Sequence, residues 1–302
     1  MSLADLKREL LVRHLETWAP AALHRARRAT FVHGYADADG GLLAEAALGV
    51  FAEQSDLVRG RELTMIAIGD DLSAVAQRLA APEAGAGLSV RTLSGDTGRL
   101  LPVAMMAAGA ARVPLLGFLD ATAASEPPAG PTLAALATGK PAEVLLVLPA
   151  DAVPDVDGYR AALRDAGFPL AAAVELVGED ADAGQLMVFA TGLGKSLEAF
   201  KETLWAVDEF AGVRYRDPGD PQRHLIDVSL NPHPGPLRRT LLHHLAAVGE
   251  ATVTELRTYA LTETVYRAAD ATRVVNTLLG AGTVTRQPEH GRLGGDVVIA
   301  MS

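Results

Sequence analysis

Residues Leu170–Thr191 read LAAAVELVGEDADAGQLMVFAT: two apolar, β-prone runs, LAAAVELV and QLMVFAT, on either side of the turn-rich GEDADAG. Two such runs joined by a short polar segment containing glycine make an antiparallel hairpin. The five runs that precede it differ in kind. They begin at Thr30 (TFV), Leu63 (LTMIAIGDD), Leu88 (LSVRTLSGD), Val113 (VPLLGFLD) and Ala142 (AEVLLVLPAD), and most are followed by a helical stretch. Strands that alternate with helices and run apolar throughout argue for a parallel sheet covered on both faces. The expected fold is therefore α/β, five parallel strands closed by a terminal antiparallel hairpin.

The flanks complete this reading. Leu3, Leu6, Leu10, Leu11, Leu15 and Trp18 fall at helical spacing and give an amphipathic first helix that Pro20 is expected to end. Further helices are expected near Leu42, over Leu72–Leu79 and over Gly194–Phe210. Periodicity is then lost through RYRDPGDPQRH and NPHPGP, which have the composition of a linker. Beyond it Pro236–Gly249, Ala251–Leu261 and Ala268–Gly282 read as three short helices. The last residues, TVTRQPEHGRLGGDVVIAM, read as two strands joined by a flexible wing. Three helices and a terminal hairpin predict a winged-helix module. The domains are accordingly expected at 1–220 and 235–302.

Composition excludes several chemistries. The 302 residues carry a formal net charge of -10, which disfavours non-specific nucleic-acid binding by the chain as a whole. Cysteine is absent, so no disulfide, thiolate nucleophile or cysteine-bound metal belongs to the chain. The eight histidines include no H-x-x-x-H or H-E-x-x-H pair, and no metal site is expected. A G-x-S-x-G turn is also missing. GLGKS (Gly192–Ser196) invites a P-loop reading, but the pattern needs a glycine where Phe189 stands. The N-terminal MSLADLKRELLVRHL is charged throughout and reads neither as a signal peptide nor, with the rest of the chain, as a membrane span. A cytoplasmic protein is the expectation.

In open sheets of this kind ligands bind beyond the carboxyl ends of the strands. The first such loop, TFVHGYADADGG (Thr30–Gly41), has the layout of a strand, a turn and a helix, but one glycine pair instead of G-x-G-x-x-G. Asp37 and Asp39 would repel phosphate, so a cationic or neutral ligand suits the loop better. The strand ends nearby carry Asp70 and Asp71, Asp96 and Asp120, each of which could equally cap the helix that follows.

Taken in order, these segments resemble the three-Cys-motif partner protein family, above all in LLVRHLETWAPAALHRARRATFVHGYAD, FLDATA, QLMVFATGLGKSLEAFKETLWAVD and the terminal module. The resemblance covers most of the chain. It implies a Rossmann-like, S-adenosylmethionine-methyltransferase-type sheet joined to a winged-helix-like region, S-adenosylmethionine as cofactor, and a separately encoded protein with a three-cysteine motif as partner. By this likeness His33, Gly34, Tyr35 and Asp37 occupy the cofactor turn. The family has aspartate at the place of His33 and turn glycines at the places of Asp37 and Asp39. Ala121, Thr122 and Ala123 replace its Pro-Phe-Gly. Side chains at Asp37 and Asp39 would enter space that glycines leave to the methionine part of the cofactor. Asp70 is expected to accept from the ribose hydroxyls and Asp96 from the adenine amino group. Asp120 is expected to face the reacting centre as the catalytic group, positioning a nucleophilic nitrogen or accepting its proton. In the terminal module Arg267, Arg273 and Arg292 are the candidate DNA contacts, with Arg286, Asn276 and Thr277 beside them. Against methyl transfer stands a reading of the chain as a non-catalytic scaffold that binds a protein or DNA through the winged helix.

Overall fold

The computed structural model describes residues 2–54, 60–79, 87–178, 184–211, 214–220, 222–227 and 233–302. Helix α1 (Leu3–Arg25) opens the chain. Then β1 (Arg28–Gly34), α2 (Leu42–Glu53), β2 (Glu62–Gly69), α3 (Ser73–Leu79), β3 (Leu88–Ser94), α4 (Thr97–Ala107), β4 (Leu115–Asp120), α5 (Gly130–Leu136), β5 (Ala142–Pro149) and α6 (Val156–Ala166) alternate as expected. The hairpin strands are β6 (Leu170–Val177) and β7 (Gln185–Thr191); of their connection, residues 179–183 lie outside the described residues. Helix α7 (Gly194–Ala211) follows.

The sheet order is β3-β2-β1-β4-β5-β7-β6, continued by β8 (Arg214–Arg216) and β9 (Leu225–Asp227). Strands β1 to β5 pair in parallel. Strand β7 slots between β5 and β6, antiparallel to both. Because side chains alternate across a strand, each central strand feeds two cores. Phe31, Phe118, Leu145 and Phe189 pack under α1, α2 and α7, while Val32, Leu119, Leu146 and Val188 pack under α4, α5 and α6.

Two expectations are corrected here. Pro20 does not end α1, which continues to Arg25. Proline removes the N–H that would have bonded the Glu16 carbonyl four residues back, and the Gln54 side chain donates to that carbonyl instead, at 3.3 Å. RYRDPGDPQRH is not only linker. It contributes β8, antiparallel to β6, and β9, antiparallel to β8, which extend the sheet as far as Asp227, past the expected boundary at 220. The strand β8 is held by Tyr215, buried with its hydroxyl donating to the Leu204 carbonyl at 3.0 Å, and by Arg216 pairing with buried Glu175 on β6 at 3.1 Å.

The terminal unit comprises α8 (Gly235–Val248), β10 (Glu250–Thr252), α9 (Val253–Glu263), α10 (Ala268–Gly280), β11 (Val284–Gln287) and β12 (Val298–Met301). Its three strands form a separate antiparallel sheet in the order β10-β12-β11, with β10 an addition to the two strands expected. Its core is continuous with the α1, α2 and α7 side of the main sheet. Polar ties fix the junction: Lys201 on α7 donates to the Thr264 carbonyl, Trp205 Nε1 donates to the Val265 carbonyl at 3.1 Å, and Arg160 on α6 pairs with Glu263 at 3.2 Å.

Candidate functional site

The carboxyl ends of β1, β2 and β3 form a rim, and the turn after β1 shapes it. Gly34 lies so close to its neighbours that a Cβ there would stand 2.5 Å from Leu119 Cδ2 and 2.9 Å from Thr97 Cγ2. Tyr35 then takes a left-handed backbone, φ 57°, with its N–H donating to Thr97 Oγ1 at 3.2 Å. Such a conformation costs a bulky residue energy, and the surrounding contacts hold it.

The two carboxylates of the turn point back into the protein. The Asp71 N–H donates to Asp37 Oδ2 at 2.9 Å, and Asp37 Oδ1 lies 2.2 Å from where a Cβ on Gly69 would sit. Asp37 thus bridges the ends of β1 and β2. Asp39 accepts from the N–H of Gly41 at 2.9 Å and of Leu43 at 2.8 Å, so it caps the start of α2. The N–H groups of Gly41 and Leu43, two of the backbone donors at this helix end, are thereby taken up within the turn.

Asp70 and Asp96 are exposed at the same rim. Asp96 caps α4 through the Arg99 N–H at 2.8 Å, whereas Asp70 has no hydrogen-bond partner among the described residues. Both bear on Tyr35, whose hydroxyl is pushed above its ordinary pKa first by burial and then by the charges of Asp96 and Asp70. Asp71 caps α3, accepting from the Ser73 N–H at 3.0 Å and hydroxyl at 2.7 Å.

Asp120 does not stand with them in solvent. It is 1% exposed, Lys7 Nζ on α1 pairs with its Oδ2 at 2.6 Å, and the Thr122 hydroxyl donates to its Oδ1 at 2.6 Å. The expected catalytic carboxylate is therefore an interior ion pair that also caps the turn Ala121–Ala123. His33 is buried beside it, 5.0 Å from the Phe118 ring, with Nδ1 lacking a hydrogen-bond partner among the described residues. Burial outweighs the neighbouring charges of Asp39 and Asp120 and lowers its pKa to about 4, so the ring is neutral at pH 7.

The three arginines expected to meet DNA are divided by the fold. Arg267 is buried, bonded to Asp270 at 2.9 Å and Glu202 at 3.2 Å, with its guanidinium 5.1 Å over the Trp205 ring. It ties α10 to α7 and offers nothing to a groove. Arg273 and Arg292 are exposed. Arg286 clamps the connection between β11 and β12 by donating to the carbonyls of Pro288, Gly291 and Arg292 at 2.9, 3.1 and 3.3 Å. Among the described residues no cluster of three histidines, aspartates or glutamates could hold a metal. No described helix is long and apolar enough to cross a membrane.

Sequence reasoning passed over Lys7, His14 and Lys201. The signal was present for two of them. Lys7 and His14 sit on the apolar stripe of α1, between Leu3, Leu10, Leu11 and Trp18, where a polar residue must find a buried partner.

No family model matches the sequence, and no curated protein matches it. Solved structures share its outline at low identity. A probable spermidine synthase from Corynebacterium glutamicum is 11% identical with a TM-score of 0.44, over 68% of this chain and 74% of that one. The phosphoethanolamine N-methyltransferase 1 of Haemonchus contortus is 14% identical with a TM-score of 0.38, over 54% of this chain and 36% of that one. A putative class I S-adenosylmethionine-dependent methyltransferase from Listeria monocytogenes is 10% identical with a TM-score of 0.37, over 61% of this chain and 58% of that one. The chain thus spans little more than a third of the length of the Haemonchus enzyme. The fold is read from the strand order, with β7 inserted between β5 and β6. That order makes the chain an α/β protein with a Rossmann-like, methyltransferase-type sheet and a small antiparallel sheet of its own at the C-terminus.

Proposed function

We propose that this chain is a non-catalytic, methyltransferase-like binding protein whose adenosyl crevice is closed by its own carboxylates and whose partner is engaged by the C-terminal unit. One observation carries the reading: Asp37 spans from the β1 turn to the end of β2, bonded to the Asp71 N–H and pressed against Gly69. S-adenosylmethionine, which the family likeness implies, does not fit a turn so filled. The burial of Asp120 in its pair with Lys7 supports the same view, since a group that positions an acceptor must reach it.

The C-terminal unit has the element order of a winged helix. Residues 235–302 hold seven arginines against six carboxylates, and the exposed face of α10 carries a single arginine, Arg273. That balance favours a protein partner, such as a separately encoded three-Cys-motif protein, over DNA, whose affinity needs several phosphate contacts.

The test is thermal unfolding with S-adenosylhomocysteine. The wild type shows no stabilisation at millimolar ligand, whereas a ligand at a hundred times its dissociation constant would add about 2.7 kcal/mol. A shift in the wild type refutes the closed crevice and favours a second reading, retained cofactor binding, for which the exposed Asp70 and Asp96 beside Tyr35 speak. In that case Asp70→Ala and Asp96→Ala each reduce the shift. Steep, salt-dependent retention of DNA by the wild type would overturn the choice of a protein partner.

A further inference from the structure

The opposite edge of the sheet, where the parallel strands begin, has a different chemistry. Since β7 runs against β5, with Thr191 opposite Glu143, its carboxyl end emerges at that edge and turns through Gly192 and Leu193 into α7. This is the GLGKS segment. Its glycines have nothing within 4 Å of a would-be Cβ, so the backbone is open to approach. The N–H groups of Gly194 and Lys195 have no partner among the described residues, while the Leu193 N–H is taken by Thr191 Oγ1 at 3.1 Å.

Two adjoining cavities of about 380 and 250 Å³ lie beside this helix start and share Arg25, Pro141 and Leu193 in their walls. Arg25, Lys140 and Lys195 line them, all exposed, and none of the three side chains makes a hydrogen bond or ion pair among the described residues. Lys140 lines the larger, Lys195 the smaller and Arg25 both, and on a chain of net charge -10 three unpaired cations around two adjoining hollows are a local reversal of sign. The one carboxylate in the walls, Glu143, is 3% exposed and already engaged: it accepts from the Ser196 hydroxyl at 2.7 Å and faces His14 Nε2 at 3.3 Å. A separate observation points to a ligand. Trp18, 5% exposed, lines the smaller cavity with the edge of α1, and its indole N–H has no hydrogen-bond partner among the described residues. Buried polar groups left so are rare.

We propose that this groove binds a phosphate monoester with a flat apolar body. The phosphate sits among Arg25, Lys140, Lys195 and the first N–H groups of α7, and the flat body is aromatic and lies against Trp18 and Leu193 with its π face toward the unpartnered indole N–H. A phosphate brings close to two negative charges and three terminal oxygens, enough to engage three cations together with backbone donors; a carboxylate would leave part of that set unused. The site is not a complete phosphate-binding loop, because Phe189 stands where a further glycine would be needed and is instead stacked on Phe200, ring centroids 4.5 Å apart.

Isothermal titration of the full chain with phenyl phosphate, inorganic phosphate and benzoate tests this. Phenyl phosphate binds, and the other two bind at least about tenfold more weakly. Lys140→Ala and Lys195→Ala each weaken phenyl phosphate about tenfold, the worth of one charge-assisted contact. Both lysines are at the surface, and circular dichroism checks that the variants stay folded. No heat at 10 mM phenyl phosphate, on the order of the weakest affinity worth calling a site, overturns the proposal. So does an affinity unchanged in both lysine variants, or an inorganic phosphate that binds as well as the ester. Asp37→Gly, at the other edge, leaves phenyl phosphate binding unaltered, so this result and that with S-adenosylhomocysteine fail or hold separately.

Discussion

Lys7→Met separates an interior ion pair from a working carboxylate. The Lys7 side chain is 8% exposed and that of Asp120 1%, with 2.6 Å between Nζ and Oδ2. Methionine keeps most of the lysine stem, so packing changes little and the loss is electrostatic. Removing one partner of a buried pair costs about 3 to 5 kcal/mol, because the other charge is left without its counter-ion. The Thr122 hydroxyl continues to donate to Asp120 Oδ1, which puts the expected loss near the lower figure. Urea unfolding measures it: the midpoint falls and the slope stays constant, since the surface exposed on unfolding is unchanged. The double variant Lys7→Met/Asp120→Leu returns to within about 1 kcal/mol of wild type, as replacing both members of a buried pair by apolar groups does. A loss for Lys7→Met of about 0.5 kcal/mol or less, the value of a surface pair, would refute the reasoning and leave Asp120 free for chemistry.

Two further outcomes concern the seam between sheet and C-terminal unit. Burial lowers the Lys201 pKa to about 7, with Asp217 and Glu263 opposing the shift and Arg160 adding to it. The folded protein therefore holds fewer protons than the unfolded chain between that value and the ordinary lysine pKa. Stability measured by urea unfolding rises with pH across this window, by up to about 1.4 kcal/mol per unit, and levels off below pH 7. Asp217, raised by its own burial, works in the opposite sense at acid pH. Lys201→Met removes the slope above pH 7, and a slope that persists in that variant would assign it elsewhere. Arg267→Ala leaves buried Asp270 without its guanidinium and Trp205 without its cation, and lowers stability by about 3 kcal/mol. Arg267→Lys recovers only part of this, because an ammonium cannot reproduce the fork; full recovery would show that charge alone matters there.

What the sequence disclosed follows from where its signals are strong. Fully buried strands such as VPLLGFLD and AEVLLVLPAD are apolar on both faces, and they were legible with the helices between them. Strands β8, β9 and β10 were not: each is three residues long and two of them carry arginine or glutamate, so no alternation could develop. The roles of the rim aspartates were legible only as alternatives. Cap and ligand-binding readings predict the same residue at the same place, and Asp71, Asp96 and Asp120 each cap a helical turn. Asp37 differs. Its position was recognised as a departure from a glycine turn, but which way its carboxylate points depends on the Asp71 N–H, thirty-four residues away.

Accounting for donors decides between the two edges of the sheet where motifs do not. At the carboxyl edge the turn after β1 has the position of a cofactor loop, yet Asp37 and Asp39 accept from Asp71, Gly41 and Leu43, which withdraws those three donors from any ligand. At the amino edge GLGKS fails as a motif by one glycine, yet the N–H groups of Gly194 and Lys195 and the side chains of three nearby cations are unpaired among the described residues. A glycine pattern reports only that backbone can be approached. Binding requires in addition that the groups approached are unsatisfied without the ligand, since a donor already paired inside the protein gains nothing by exchange. By that criterion the reversed direction of β7, which carries a strand end and a helix start to the far edge, matters more to what this chain binds than the turn its fold would nominate.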